Sequence, residues 1–291
     1  MASITTRLAD LWIGRYARPD PQAIAAVEGR KPAIVITGGS EGIGLALAKQ
    51  LVGEAEHIVL VARREAPLTE AAELLRRSDG ASVHTLVLDV ARRDAPDALA
   101  SALAERGLYV DLLVNNAGIG QAGTFATHDP DRLAELIDCN VRGLSLLMRR
   151  FLPEMLARAR GGILNVASLG GMAPGPFQSA YYASKAYVIS LTEAAAFEAR
   201  GRGVRIAVLA PGPVATRFHA RMGSEAARYR RFMPAADADR VAASAVRWFA
   251  AGRRLIFPGI LANCLAVSLR YVPHALVMPV IGWLLEQGEG T

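Results

Sequence analysis

An α/β fold, built as one doubly wound parallel sheet of about seven strands with helices on both faces, is predicted by three observations. Short apolar runs such as Ala33-Ile34-Val35-Ile36 and His57-Ile58-Val59-Leu60-Val61-Ala62 read as strands buried on both sides. Amphipathic helical patterns alternate with such runs nearly throughout, the signature of a parallel sheet. A glycine-rich turn, Thr37 to Gly44, joins the first strand to the first helix of the sheet. With 291 residues, 52% of them hydrophobic, the chain can bury one large core, and no second core is evident. The expected organisation is a helical extension over 1–30, the α/β unit over 31–258 and an apolar helical tail over 259–291 packed on the same unit.

In the extension, Ile4, Leu8, Leu11, Trp12 and Tyr16 recur at helical spacing, and Pro19-Asp20-Pro21 stops that helix. Its expected role is docking on the core or on a partner subunit, with membrane-surface contact as the minority reading. Arg7, Asp10 and Arg15 interrupt every apolar run, so no secretory leader is indicated. Cys139, Cys264 and five scattered histidines offer neither metal-ligand spacing nor a disulfide framework. A cytoplasmic protein without a metal is expected. The net charge of +6 comes from scattered arginines with no aromatic-interleaved basic stripe, which argues against nucleic acid.

The turn after the first strand runs Gly38-x-x-x-Gly42-x-Gly44 and leads into a helix read as starting at Leu45. Glycines there permit close approach of the backbone to a pyrophosphate, and the helix N-terminus offers free N–H groups and a favourable dipole. Alone, the same spacing also fits a tight strand-to-helix turn.

The chemistry concentrates between Gly161 and Ser190. A strand, Ile163-Leu164-Asn165-Val166-Ala167, ends at Ser168, and the following helix carries Tyr181 and Lys185 four residues apart on one face. A tyrosine with a pKa of about 10 is a poor acid or base near neutrality, and an adjacent ammonium would lower it toward working pH. Ser168 could donate to a carbonyl oxygen as charge develops there. Only Lys31, Lys49 and Lys185 are lysine among 33 basic residues, so a lysine kept at this place suggests a compact, rotatable cation.

Taken together, these motifs resemble the short-chain dehydrogenase/reductase family of nicotinamide-dependent oxidoreductases. The resemblance covers Ala33 to Pro258. It rests on the Thr37–Gly44 turn, Asn115-Asn116-Ala117-Gly118 after the fourth strand, Asn140 on the long fourth helix and Ser168 thirteen residues before Tyr181. It also includes Tyr181-Tyr182-Ala183-Ser184-Lys185 and Pro211-Gly212-Pro213-Val214-Ala215-Thr216 after the sixth strand. The resemblance implies a Rossmann-type sheet and a catalytic set of Asn140, Ser168, Tyr181 and Lys185. Tyr181 would be the acid or base and Tyr182 its non-catalytic neighbour. Lys185 would also hold the nicotinamide ribose, Ser168 would orient the substrate carbonyl, and Asn140 would anchor a water in the proton relay.

For the cofactor, the resemblance implies contacts from Gly38, Ser40, Gly42, Ile43 and Gly44 in the turn, and from Asp89 and Val90 at the adenine. Asn116, Ala117 and Gly118 would line the adenosine side. Pro211, Gly212, Val214 and Thr216 would flank the nicotinamide, with Thr216 at its carboxamide. Asn115 and Asn116 could instead tie the sheet together, and Asp89 could cap the next helix. Arg63-Arg64 stand after the second strand where an acidic residue would favour NAD; guanidinium groups pair with a 2′-phosphate, so NADP(H) is expected over NAD(H). Glu41 and Glu65 oppose that choice.

Two regions fall outside these motifs. From Arg217 to Pro234, five arginines stand among small and apolar residues, as a lid that could read an anionic head group or as a solvated basic helix. From Gly259 to Leu285 the only formal charge is Arg270, and Pro273 and Pro279 divide the stretch into pieces too short to span a bilayer. A roof over the substrate cleft or a subunit seam is expected, with an interfacial anchor as the third choice. The expected activity is interconversion of a carbonyl and a secondary alcohol on an apolar ketone, steroid-like or 3-oxoacyl substrate, by a homodimer or homotetramer. Its rival is a non-catalytic dinucleotide-binding sensor or assembly protein.

Overall fold

A computed structural model describes residues 12–77 and 80–286. Among these, seven parallel strands form one sheet: β1 (Lys31–Thr37), β2 (His57–Ala62), β3 (Ser82–Val87), β4 (Leu108–Asn115), β5 (Gly161–Val166), β6 (Val204–Leu209) and β7 (Leu255–Ile256). Their order is β3-β2-β1-β4-β5-β6-β7. The direction of winding therefore reverses between β1 and β4, and a crevice opens at the C-terminal ends of those strands.

The apolar runs explain the two-sided burial. Val35, Val59, Leu113, Ile163 and Val208 face one side of the sheet, where Leu99, Phe151, Met155 and Val188 cover them. Ile36, Ile58, Leu60, Val114 and Leu164 face the other, under Leu47, Leu68, Leu75 and Val241. The first layer is formed by α4 (Ala95–Glu105), α6 (Leu144–Arg158) and α7 (Ser179–Glu198). The second is formed by α2 (Gly42–Leu51), α3 (Glu65–Arg76) and α10 (Ala238–Ala250). Consecutive strand residues alternate between two layers, so both faces of the sheet are largely apolar.

Two helix boundaries differ from the sequence expectation. α2 begins at Gly42, not Leu45, so Gly42-Ile43-Gly44 are its first turn and their free N–H groups belong to the glycine cradle. Asn140 sits in neither of the regular helices around it. α5 (Pro130–Ile137), capped by the Asp129 carboxylate, passes through a π-helical turn at Asp138–Gly143 into α6. Such a turn inserts an extra residue and re-aims side chains, a device common at functional sites.

The start of the described chain is tied to the core. The Gly203 N–H donates to Ile13 O at 2.7 Å and the Tyr16 N–H to Gly201 O at 2.6 Å, holding residues 12–16 against the α7–β6 loop. Ile4, Leu8 and Leu11 lie outside the described residues. Beyond Pro19, a short helix, α1 (Pro21–Ala25), begins at the Asp20 cap. The lid region holds α8 (Phe218–Met222) and α9 (Tyr229–Phe232), and the tail holds α11 (Ile260–Tyr271) and α12 (His274–Leu285). No helix of the described residues is long and apolar enough to cross a membrane.

Candidate active site

One cleft of about 660 Å³ runs from the C-terminal ends of β1, β2 and β4 to the tail helices. At one end the glycine turn is tied down by Asn116, whose Nδ2 donates to Thr37 O and Gly38 O, both at 3.0 Å. Gly38 has φ +63°, a left-handed conformation, and a Cβ there would lie 2.8 Å from the Asn116 amide. A Cβ on Gly44 would lie 2.3 Å from Gly38 O, so α2 packs on the turn only with glycine there. The result is a bare backbone cradle at a helix N-terminus, suited to a dinucleotide pyrophosphate.

Asn115 belongs to the sheet: its Nδ2 donates to Asn165 Oδ1 at 2.9 Å, deep in the core. Asn116 lines the cleft and also ties the turn, so the two readings of it are joined in one side chain. Asp89 caps in part, since its Oδ1 accepts from the Ala91 N–H at 3.0 Å, and it too lines the cleft.

At the far side of the cradle, Arg63 and Arg64 both line the cleft, each engaged by carboxylates. Arg63 bonds Glu135 on α5 and lies 3.8 Å from Asp89. Arg64 donates to Glu41 at 2.8 Å. Glu41 is held from the lid as well, by Arg221, one of whose contacts is 2.8 Å. Burial raises the Glu41 pKa, but the Arg221 hydrogen bond and the charges of Arg221, Arg64 and Arg217 outweigh it and hold the carboxyl below its usual range. The sequence left the lid arginines between a substrate head group and solvent; Arg221 reaches the glycine turn, 180 residues away, a contact neither reading named.

In the middle of the cleft, Ser168, Tyr181 and Lys185 line one wall. Lys185 is 4% exposed, donates from Nζ to Val166 O at 2.9 Å, and lies 5.8 Å from the Tyr181 ring centroid. A Cβ on Gly118 would lie 3.3 Å from both Lys185 Nζ and Asn140 Oδ1, so these groups converge on one point. Asn140 lies behind the wall. Its Oδ1 accepts from the Ile119 N–H at 2.9 Å, and its Nδ2 donates to Ile119 O at 2.8 Å and to Ser184 Oγ at 3.0 Å. Ser184 Oγ in turn donates to the Tyr181 carbonyl at 2.7 Å, linking the π-helical turn to α7.

The electrostatics correct one expectation. Tyr181 keeps part of its surface open to the cleft, yet the protein packed around it pushes its phenol up to about 12, opposed by a hydrogen bond with Ser168. Burial pushes Lys185 down to about 8. Each group is driven toward its neutral form, so the lysine does not draw the phenol toward neutrality; desolvation dominates both. Tyr181 therefore holds its proton, and Lys185 is charged only below about pH 8.

Gly38, Ser40, Gly42 and Ile43 line the cleft with Val90, Ala117 and Gly118, and so do Pro211, Gly212, Val214 and Thr216. Gly44 and Asn140 stand just behind it. Tyr182 packs over Gly170 and Gly175, where a Cβ would meet its ring at 2.9 Å and 2.3 Å, in keeping with a structural neighbour. Sequence reasoning missed Phe218, whose ring centroid is 5.4 Å from that of Tyr181, and the His219–Tyr229 pair, Nδ1 to OH at 2.8 Å. Aromatic spacing in so short a helix gave no signal for them. Among the described residues no cluster of metal-ligating side chains exists.

A dinucleotide cradle at a topological switch point beside a serine, tyrosine and lysine set defines a nicotinamide-dependent oxidoreductase of the α/β class. The family model for short chain dehydrogenase matches residues 32–227. The chain belongs to the short-chain dehydrogenase/reductase family, NAD(P)-dependent enzymes acting on CH–OH and C=O groups. It is 34% identical over 239 residues to galactitol 2-dehydrogenase of Rhizobium johnstonii, covering 79% of this chain and 91% of that one. It is 34% identical to ketoacyl reductase HetN of Nostoc sp., over 62% of this chain and 63% of the relative. Among solved structures, a short-chain dehydrogenase from Sphingobium yanoikuyae in complex with NADPH aligns with a TM-score of 0.73 and 28% identity, over 81% of this chain and 92% of that one. A Burkholderia phymatum relative in complex with NAD aligns with a TM-score of 0.72 and 28% identity, over 82% and 93%.

Proposed function

We propose that the protein is an NADP(H)-dependent reductase of apolar ketones, steroid-like or 3-oxoacyl compounds. The observation that carries this reading is the polarity gradient along the cleft: guanidinium groups at one end, Ser168, Tyr181 and Lys185 in the middle, and Leu265, Leu269, Ile281 and Leu284 of the tail helices at the other. An apolar wall facing the reacting groups suits a substrate with an apolar body.

A nicotinamide held in this cleft would supply or accept the hydride. Tyr181, which keeps its proton to about pH 12, donates that proton to the carbonyl oxygen, while Ser168 hydrogen-bonds the same oxygen and stabilises charge as it forms. Lys185 places a positive charge beside the phenol and the ribose hydroxyls. Asn140, buried and holding Ile119, fixes the turn of chain that faces Lys185; by the family resemblance it would also anchor a water of the proton relay.

Gly38, Ser40, Gly42, Ile43 and Gly44 would cradle the pyrophosphate, Asp89 and Val90 with Asn116 to Gly118 would hold the adenosine side, and Pro211 to Thr216 would flank the nicotinamide. The NADP(H) preference is supported by Arg63 and Arg64 lining the cleft. Their side chains are about half exposed, so exchanging a carboxylate partner for a 2′-phosphate costs little. Residues 31–258 form the catalytic unit, 1–30 an extension and 259–291 a tail on the same unit. Exposed Tyr187 and Phe197 on α7 support a homodimer or homotetramer, and the unpaired Cys139 and Cys264 suit a reducing cytoplasm.

The test is oxidation of NADPH and of NADH against ketones, aldehydes and 3-oxoacyl thioesters. Turnover of apolar ketones with at least about tenfold better use of NADPH supports the reading. Equal efficiency with both cofactors, or turnover confined to polar polyols, overturns it.

A further inference from the structure

The tail hairpin has two apolar faces. Its inner face lines the cleft and packs against the lid through Ile281, Leu284 and Leu285 on Tyr229. Its outer face is uncovered: Ile260 is 84% exposed, Leu261 60%, Val267 60%, Leu276 67% and Val280 58%. Tyr271 at 78% and Trp283 at 50% stand on the same two helices. A helix apolar all round belongs in a core or in lipid, and a patch this size on a soluble surface marks a docking site.

Charge identifies the occupant. From Gly259 to Leu285 there is no acidic residue, and Arg270 is exposed with no carboxylate partner among the described residues. Lid arginines extend the basic rim. Phe232, 62% exposed, stacks on Trp283 with ring centroids 5.5 Å apart and brings exposed Arg230 and Arg231 to the margin of the patch. Glu286, the residue after the hairpin, is already paired with Arg228. A second copy of this face would meet it with the same cationic rim, whereas an anionic bilayer offers both an apolar interior and the opposite charge. Each helix, of 12 residues, is about 18 Å long, too short for the roughly 30 Å core of a bilayer, so the hairpin lies in the interface. Tyr271 and Trp283 are the side chains favoured at that depth.

We propose that the α11–α12 hairpin seats the protein on an anionic lipid surface, with the apolar end of the cleft opening toward the bilayer so that lipid-dissolved substrate enters from it. The entry route rests on the apolar-substrate reading above. The docking does not, so it is measured without substrate.

The full chain is sedimented with vesicles of phosphatidylcholine, with and without phosphatidylglycerol, while tryptophan emission is recorded. The expected result is capture by the anionic vesicles with a blue shift, weakened by salt and by Arg270→Glu. The exposed pair Ile260→Glu/Leu276→Glu should cut partitioning at least about tenfold while cofactor fluorescence titration stays as in the wild type. If that pair fails to fold, Arg270→Glu and the salt series decide alone. The proposal falls if wild-type protein stays in the supernatant with both vesicle types, or if Arg270→Glu and salt leave capture unchanged. It falls equally if light scattering shows an oligomer that Ile260→Glu/Leu276→Glu dissociates with no vesicle capture, for then a second copy covers the face.

Discussion

The two ends of the cleft are built on opposite principles. At the cofactor end, backbone and side chains are cross-tied: Asn116 grips the turn before α2, Thr37 Oγ1 accepts from the Asn116 and Ala117 N–H groups, and Asn140 brackets Ile119. At the tail end, the proposed substrate side, the wall is apolar side chains of α11 and α12 packed on the lid, and Arg228–Glu286 is an ion pair that joins the two. Directional bonds fix one geometry for a ligand that never changes. Packing fixes only volume and polarity, which can vary with the substrate.

The sharpest break between the two ends comes from the groups between them. Tyr181→Phe keeps the ring and its packing on Phe218 but removes the transferable proton. Turnover should fall by about 10²- to 10⁴-fold with the dissociation constant for NADPH nearly unchanged, as read by steady-state kinetics and fluorescence titration. Retained turnover would show that another group supplies the proton.

Paired glycine substitutions probe the same contrast. In Gly44→Ala the new Cβ would lie 2.3 Å from a backbone carbonyl and 2.4 Å from the Asn116 amide, neither free to move. A loss of about 1–3 kcal/mol by thermal or denaturant unfolding is expected, with cofactor affinity down at least about tenfold. Gly282→Ala in α12 meets Pro176 at 3.6 Å, an ordinary contact, and should be neutral or slightly stabilising. Equal damage from both would mean the tail is as tightly specified as the cradle.

Lys185 gives the comparison a pH axis. Its pKa in the folded protein, about 8, lies below the ordinary lysine value, so the ammonium is fully present below pH 8 and is lost as pH rises through it. Tyr181 keeps its proton across that range. If carbonyl reduction requires the ammonium, kcat/KM falls about tenfold per pH unit above about 8, while the intrinsic contacts of the apolar wall do not change. A flat profile from about pH 6 to pH 10 would make the Lys185 charge irrelevant to the chemistry.

The same contrast governed what the sequence could reveal. β1, β2, the glycine turn and the Tyr181/Lys185 spacing are local patterns, and the structure forms each where the pattern stands. The α2 start was read three residues late because glycine is a poor helix former, although Gly42 and Gly44 serve the cradle. The π-helical turn at Asn140 leaves no periodic trace. The contact of Arg221 with Glu41 and the opposite shifts of Tyr181 and Lys185 depend on tertiary burial, which spacing does not encode. At the tail, apolarity was plain in the sequence, but which face lines the cleft and which stays bare needed the packing of Ile281, Leu284 and Leu285.

Cofactor choice tests the charged margin of the cradle. Arg63 already lies between Glu135 and Asp89, so Arg63→Glu places a third carboxylate among acids and should repel a 2′-phosphate. The proposed NADPH preference should reverse by about tenfold, measured as the ratio of kcat/KM for NADPH and NADH. An unchanged ratio would move the discrimination to Arg64 and Arg221.

An effect confined to substrate binding is expected at the apolar wall, and it separates the two ends most directly. Ile281 on α12 is half-buried, lines the cleft and packs against Tyr229 and Leu285. Ile281→Ala removes apolar surface that a substrate touches equally before and during reaction, so it should raise KM and leave kcat alone. Losing such a contact is worth about 1–2 kcal/mol, or roughly five- to thirtyfold for a substrate long enough to reach the wall. A short ketone that occupies only the space near Tyr181 should show almost no change, and the dissociation constant for NADPH should be that of the wild type. KM values for a homologous series of ketones check this, since the effect must grow with chain length. If the short ketone suffers as much as the long one, Ile281 acts by holding the lid and Tyr229 in place, and the apolar wall is part of the catalytic frame.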